Sequence, residues 1–100
     1  MARKIIWTER AQKERIIIFS FWNKRNQTFN YSKKLNSLIK ESLKLICKYP
    51  TIGKLTNKEN VRLKILKEYL IIYEITKSEI VVLSLWDCRQ NPEDLKRLTQ

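Results

Sequence analysis

Histidine is absent from this chain of 100 residues, and glycine (1), proline (2) and cysteine (2) are scarce. Without an imidazole there is no His-based triad, no histidine general base and no histidine metal ligand. Acid–base work near neutral pH would fall to Lys, Arg, Tyr, Asp or Glu. Cys47 and Cys88 are too few for a disulfide framework and lack metal-ligand spacing. Cys47, set among Leu43, Leu45 and Ile46, reads as core filler, and a reducing cytoplasm is the expected compartment. No cofactor or metal is implied. The shortage of Gly and Pro argues against low complexity and disorder. No apolar run approaches membrane length. The start, Met1-Ala2-Arg3-Lys4-Ile5-Ile6-Trp7, offers too short an apolar stretch for a secretory signal.

Acidic residues are also in short supply: 10 Asp and Glu against 21 Lys and Arg leave a net charge of +11. An excess of that size on a small surface spreads as a positive field, which suits nucleic acid, an acidic protein or an anionic membrane. A solvated basic surface on an ordinary protein is the plainer alternative. With 43% hydrophobic residues, residues 1–100 can form one domain around one core, and a small α+β domain is the expectation.

What is present is concentrated in Val61 to Asn91. Three runs rich in Ile, Val, Leu and Tyr (Val61 to Leu66, Tyr69 to Ile75, Ile80 to Trp86) are separated by short polar breaks, the pattern of a strand meander. The first run alternates, so Val61, Leu63 and Ile65 point one way and Arg62 and Lys64 the other. Those two cations sit roughly 7 Å apart on one sheet face, since a strand repeats its faces every second residue. Arg89 follows the last run. The second and third runs are apolar on both faces and belong inside the sheet.

Ahead of the meander, Lys4 to Trp7 is short and β-favouring, an expected edge strand. Thr8 can cap a helix from Glu9 to about Lys24, with Ala11, Ile17, Ile18, Phe21 and Trp22 forming its apolar stripe. Asn23 to Thr28 serves as a turn. A second helix from Ser32 holds its period through Leu35, Leu38, Ile39, Ser42, Leu45, Ile46 and Tyr49, and Lys40, Lys44 and Lys48 form an exposed ridge. That ridge is either a phosphate track or a solvated helix face. Pro50 stops the helix, and Gly53 is expected to take a positive φ in the turn that follows. Lys54 to Asn60 is expected to be a polar loop that brings Lys54 and Lys58 near Arg62 and Lys64. Asn91 caps and Pro92 opens a short last helix, which needs Leu95 and Leu98 packed on something to persist. The helix pair can cover one sheet face, leaving the other exposed or covered by a partner.

This order of elements, with Tyr49-Pro50-Thr51-Ile52-Gly53, Val61-Arg62, Tyr69 to Ile75 and Val81 to Pro92, resembles the RelE/ParE superfamily of bacterial toxins from Trp7 to about Leu98. The resemblance implies a two-helix hairpin packed on a small, mainly antiparallel four-stranded sheet with a short C-terminal helix. It also implies the toxin of a type II toxin–antitoxin module, held inactive by a cognate antitoxin. RelE-like members cut mRNA on the ribosome with basic residues on the sheet. ParE-like members poison DNA gyrase and are not thought to be nucleases.

Carried over residue by residue, the RelE-type basic pair falls on Arg62 and Lys64 and the late arginine on Arg89. The RelE-type arginine at the start of the middle strand meets Tyr69 or Leu70, and the late tyrosine falls near Leu95. Ribosome-dependent mRNA cleavage is the leading expectation. Under it Arg62 and Arg89 hold the phosphate, Lys64 handles the proton, and Lys54 and Lys58 extend the nucleic-acid-binding surface. Fixed cations suit the charged transition state of such a cleavage. The alternatives are gyrase inhibition, a basic nucleic-acid-binding module without catalysis, and a purely structural role in which Arg89 pairs with Asp87 or Glu93. Trp86 is expected at the core or its rim rather than stacked on a base.

Overall fold

A computed structural model describes residues 3–100 of the chain. Met1 and Ala2, which open the stretch weighed above as a secretory signal, lie outside the described residues. Strand β1 (Lys4–Trp7) leads into helices α1 (Glu9–Asn26) and α2 (Asn30–Lys48) and a 3-10 turn at Pro50–Ile52. Strands β2 (Lys54–Leu55), β3 (Val61–Leu66), β4 (Tyr69–Ile75) and β5 (Glu79–Asp87) follow, and helix α3 (Pro92–Thr99) comes last. The sheet order is β1-β5-β4-β3-β2, with β1 parallel to β5 and every other pairing antiparallel.

The α+β class is as expected, but the sheet has five strands rather than four. The extra one is β2, at the head of the expected loop, where Lys54 and Leu55 pair with Leu63 and Arg62. Two residues carry no periodicity, so a strand this short leaves no mark in the pattern.

The meander has the expected interior strands. The helix-side face of β4 and β5 supplies Tyr69, Ile71, Tyr73, Ile80, Val82 and Leu85 to the main core, where α1 contributes Ala11 and Ile18 and α2 contributes Leu35, Ile39, Leu43 and Ile46. Register shifts between Ile72 and Tyr73, because Tyr73 faces Val82 while Ile72 faces Ser84. Leu83 is thus the extra residue of a bulge, and the buried Ser84 hydroxyl beside it donates to Glu14 Oε1 of α1 at 2.8 Å.

Helix α1 starts where expected: Thr8 Oγ1 accepts from Ala11 N–H at 3.1 Å and donates to Val82 O at 2.9 Å, fastening the cap to β5. Its stripe is narrower than the spacing suggests, since Ile17 (66% exposed) and Phe21 (42%) face outward. In α2, Leu43 is buried whereas Leu45 and Tyr49 are exposed, so the helix turns a tighter i, i+4 row toward the sheet. Cys47 packs half-buried at the core's edge, and Lys40, Lys44 and Lys48 are exposed as the ridge predicts.

The opposite face, expected to be bare or partner-covered, is covered in part by the chain itself. Leu95 and Leu98 of α3 pack on Val61, Leu63, Leu70, Ile72, Leu83 and Trp86. Asn91 caps that helix by accepting from Glu93 N–H at 3.0 Å, and Thr99 O accepts from Asn57 and Lys58 N–H groups. Trp86, 2% exposed, is core. No helix among the described residues is long and apolar enough to cross a membrane.

Candidate functional site

Strand alternation decides where the cations go. Val61 and Leu63 pack toward α3, so Arg62 and Lys64 project from the helix-pair face, on the side of their partners Tyr73 and Ile71. The face that carries Arg62 and Lys64 is therefore the one the helices cover. There Arg62 is half-buried and its Nη1 donates to Thr51 O (3.0 Å) and Gly53 O (2.8 Å). It works beside Tyr73, whose hydroxyl donates to Pro50 O at 2.7 Å and accepts from Gly53 N–H at 3.0 Å. Together they tie the turn after α2 to the sheet. Burial pushes the Tyr73 phenol up, so it remains a donor.

Gly53 is needed here for closeness, not for a left-handed backbone. Its φ is −72°, while a Cβ at this position would lie 2.5 Å from Tyr73 Oη and 2.9 Å from Leu63 O. The left-handed positions fall instead on Gln27, Asn60 and Lys67.

Arg89 sits at the other end of the sheet. Its N–H and Nε donate to Asp87 Oδ1 at 2.9 and 3.0 Å, and its Nη2 donates to Oδ2 at 2.8 Å. The guanidinium rests 5.6 Å from the Phe21 ring centroid. The hydrogen-bonded Arg89 holds the Asp87 carboxyl below its usual range, and Asp87 raises Arg89 in turn. Of the two acids named as possible partners, Asp87 is the one used. Behind this pair the buried Tyr69 accepts from Trp22 Nε1 at 2.7 Å, and the Trp22 ring leans on Tyr31 with centroids 4.6 Å apart. This aromatic group had no counterpart in the sequence pattern, because it joins α1, the start of α2 and β4 across long chain separations.

The expected convergence of Arg62, Lys64 and Arg89 is not what the registers give. Arg62 is level with Tyr73 and Val82, whereas Leu66, Tyr69 and Asp87 share a level. Four residues along and two strands across separate Arg62 from Asp87, roughly 13 Å by 10 Å. Lys64 lies between these levels, opposite Ile71, and among the described residues its side chain makes no ion pair or hydrogen bond. Lys54 pairs with Leu63 and so shares the α3 side, as does the backbone of Lys58, which donates to Thr99 O. The five named cations thus divide between two faces and two ends.

The chemistry open to this arrangement is recognition more than proton transfer. Burial raises the phenols of Tyr31, Tyr69 and Tyr73 and the thiols of Cys47 and Cys88, which keeps them protonated near neutral pH. Arg62 and Arg89 are directed at their own partners.

Residues 5–92 match the model of a family described as the ParE toxin of the type II toxin–antitoxin system parDE. Among solved structures, one described as a chromosomal ParDE TA system from P. aeruginosa superposes with a TM-score of 0.69 at 18% identity, covering 86% of this chain and 96% of that one. At that identity the likeness is one of fold. No curated protein matches. The sheet with its helical hairpin and the match from Ile5 to Pro92 lead to one assignment: the chain belongs to the ParE toxins of type II toxin–antitoxin systems, within the RelE/ParE superfamily.

Proposed function

We propose that this toxin acts by poisoning DNA gyrase and does not cut mRNA. As a toxin of such a system it has a cognate antitoxin for a partner. The observation that carries the choice of target is the prior engagement of both arginines a nuclease would need. Arg62 is bound to two backbone carbonyls and Arg89 to a carboxylate, at opposite ends of the sheet. Freeing either for a phosphate breaks charge-assisted hydrogen bonds, which offsets much of what a new contact would contribute. Cleavage by 2′-hydroxyl attack also needs a poised base, and the tyrosine and cysteine groups whose pKa moves here go up. Membership of the ParE branch supports the same target.

The test runs two assays on one preparation. With purified gyrase, plasmid and ATP, the toxin is expected to trap cleaved DNA complexes. In a translating ribosome assay it is expected to leave mRNA intact. Codon-specific cutting of mRNA that is lost in Lys64→Ala or Arg89→Ala, with gyrase unaffected, would reverse the proposal.

A further inference from the structure

At the β1 edge of the sheet, three strands from Arg62 and Lys64, a hollow of about 290 Å³ lies between β1, α1 and α2. Its floor is apolar. Ile5 and Trp7 alternate on β1 and so turn to the same side, and Ile39 and Leu43, both 3% exposed, sit one turn apart on α2. Its rim is cationic: Lys40 and Lys44 stand one turn apart on α2, and Arg15 faces them from α1. No acidic side chain lines the hollow, and among the described residues none of the three cations belongs to an ion pair.

Arg15 is held in place by two neighbours. Its guanidinium lies 4.2 Å over the Trp7 ring centroid and donates to Gln12 Oε1, which fixes the plane. A stacked guanidinium keeps its edge available, and that edge matches a carboxylate with two parallel N–H···O bonds. Three cations around one small slot repel each other until an anion arrives, and the half-buried Ile5 and Trp7 gain when a hydrocarbon tail replaces water over them.

We infer that the hollow binds a small amphipathic carboxylate. The head group lies across Arg15 with Lys40 and Lys44 opposite, and the apolar tail covers Ile5 and reaches the edges of Ile39 and Leu43. The volume, near the lower end of the roughly 300–1,000 Å³ typical of small-molecule sites, suits a short chain. A bare inorganic anion would leave the floor wet, and an uncharged apolar molecule would leave the rim uncompensated.

Octanoate below its micellar concentration is the probe, with octanol and octylamine as counterparts, followed by amide NMR shifts and Trp fluorescence on the full chain. Saturable shifts are expected at Ile5, Trp7, Arg15, Ile39 and Leu43. Octanol should bind roughly tenfold or more weakly and octylamine not at all. The exposed double change Lys40→Glu with Lys44→Glu, which spares the core, should abolish octanoate binding. Arg15→Lys, which keeps the charge and loses the fork, should weaken it less. Equal binding of octanol, shifts elsewhere on the chain, or indifference to the double change would overturn the assignment. So would saturation by an acidic peptide of alternating Glu and Leu in the absence of any octanoate binding, which would make the occupant a protein segment.

Discussion

Strand β4 carries a buried tyrosine at each end, and the two ends are built for different purposes. At Tyr73 the hydroxyl, the Gly53 N–H, the Pro50 carbonyl and the Arg62 guanidinium form a closed set with no room for one more carbon. At Tyr69 the hydroxyl has one donor, Trp22, and the groups around it open outward to Phe21 and to Arg89, whose side chain is 53% exposed. An arginine appears at both ends, yet only one could be lost without loosening the fold. Residue type alone does not separate a structural cation from a surface one; the partners do.

The comparison can be broken most easily at the closed end. Gly53→Ala should cost about 2–3 kcal/mol in urea unfolding, because the added carbon must displace Tyr73 Oη or the Leu63 carbonyl. A change below about 0.5 kcal/mol would mean that this end is not closed. Tyr73→Phe should cost about 2 kcal/mol, since it strips partners from the Gly53 N–H and the Pro50 carbonyl in a buried setting. Tyr69→Phe should cost about 1 kcal/mol, because it leaves Trp22 Nε1, at a half-buried site, without its acceptor. If the two phenylalanine variants exchange places in that ranking, the contrast between the ends is wrong.

The smallest effect is expected at Arg89. Its loss should leave midpoint stability near neutral pH almost unchanged, since exposed pairs contribute little. Its signature is pH dependence. Asp87 has a folded pKa below its unfolded one, near 3.9, so the pair's contribution is complete above that value and is lost as pH falls through the lower folded value. Unfolding curves of the parent and Arg89→Ala should therefore converge in acid, once the pH has fallen past the lowered folded value of Asp87. A difference that persists in stronger acid would point to a role for Arg89 beyond Asp87, such as its contact with Phe21.

Much of the fold was legible because burial on two faces leaves a plain trace. The unbroken apolar runs of β4 and β5 mark interior strands, and Thr8 and Asn91 mark helix starts that the structure keeps. Other features depend on where elements land. Leu43 and Leu45 look alike in sequence, and only the way α2 lies on the sheet buries the first and exposes the second. The alternation of β3 was correct, but which of its faces receives the helices cannot be read from alternation, and that choice turned Arg62 from a candidate ligand into a clamp on the turn after α2. Gly53 was singled out for the wrong reason, because its neighbour across the sheet is invisible along the chain.

The parallel pairing of β1 with β5 has a consequence for synthesis. Among the described residues the first strand pairs with the last one alone, at a separation of 74 residues between Thr8 and Val82. Contacts that distant close late and slowly. A growing chain in which β5 has not yet emerged therefore has no partner for its opening strand.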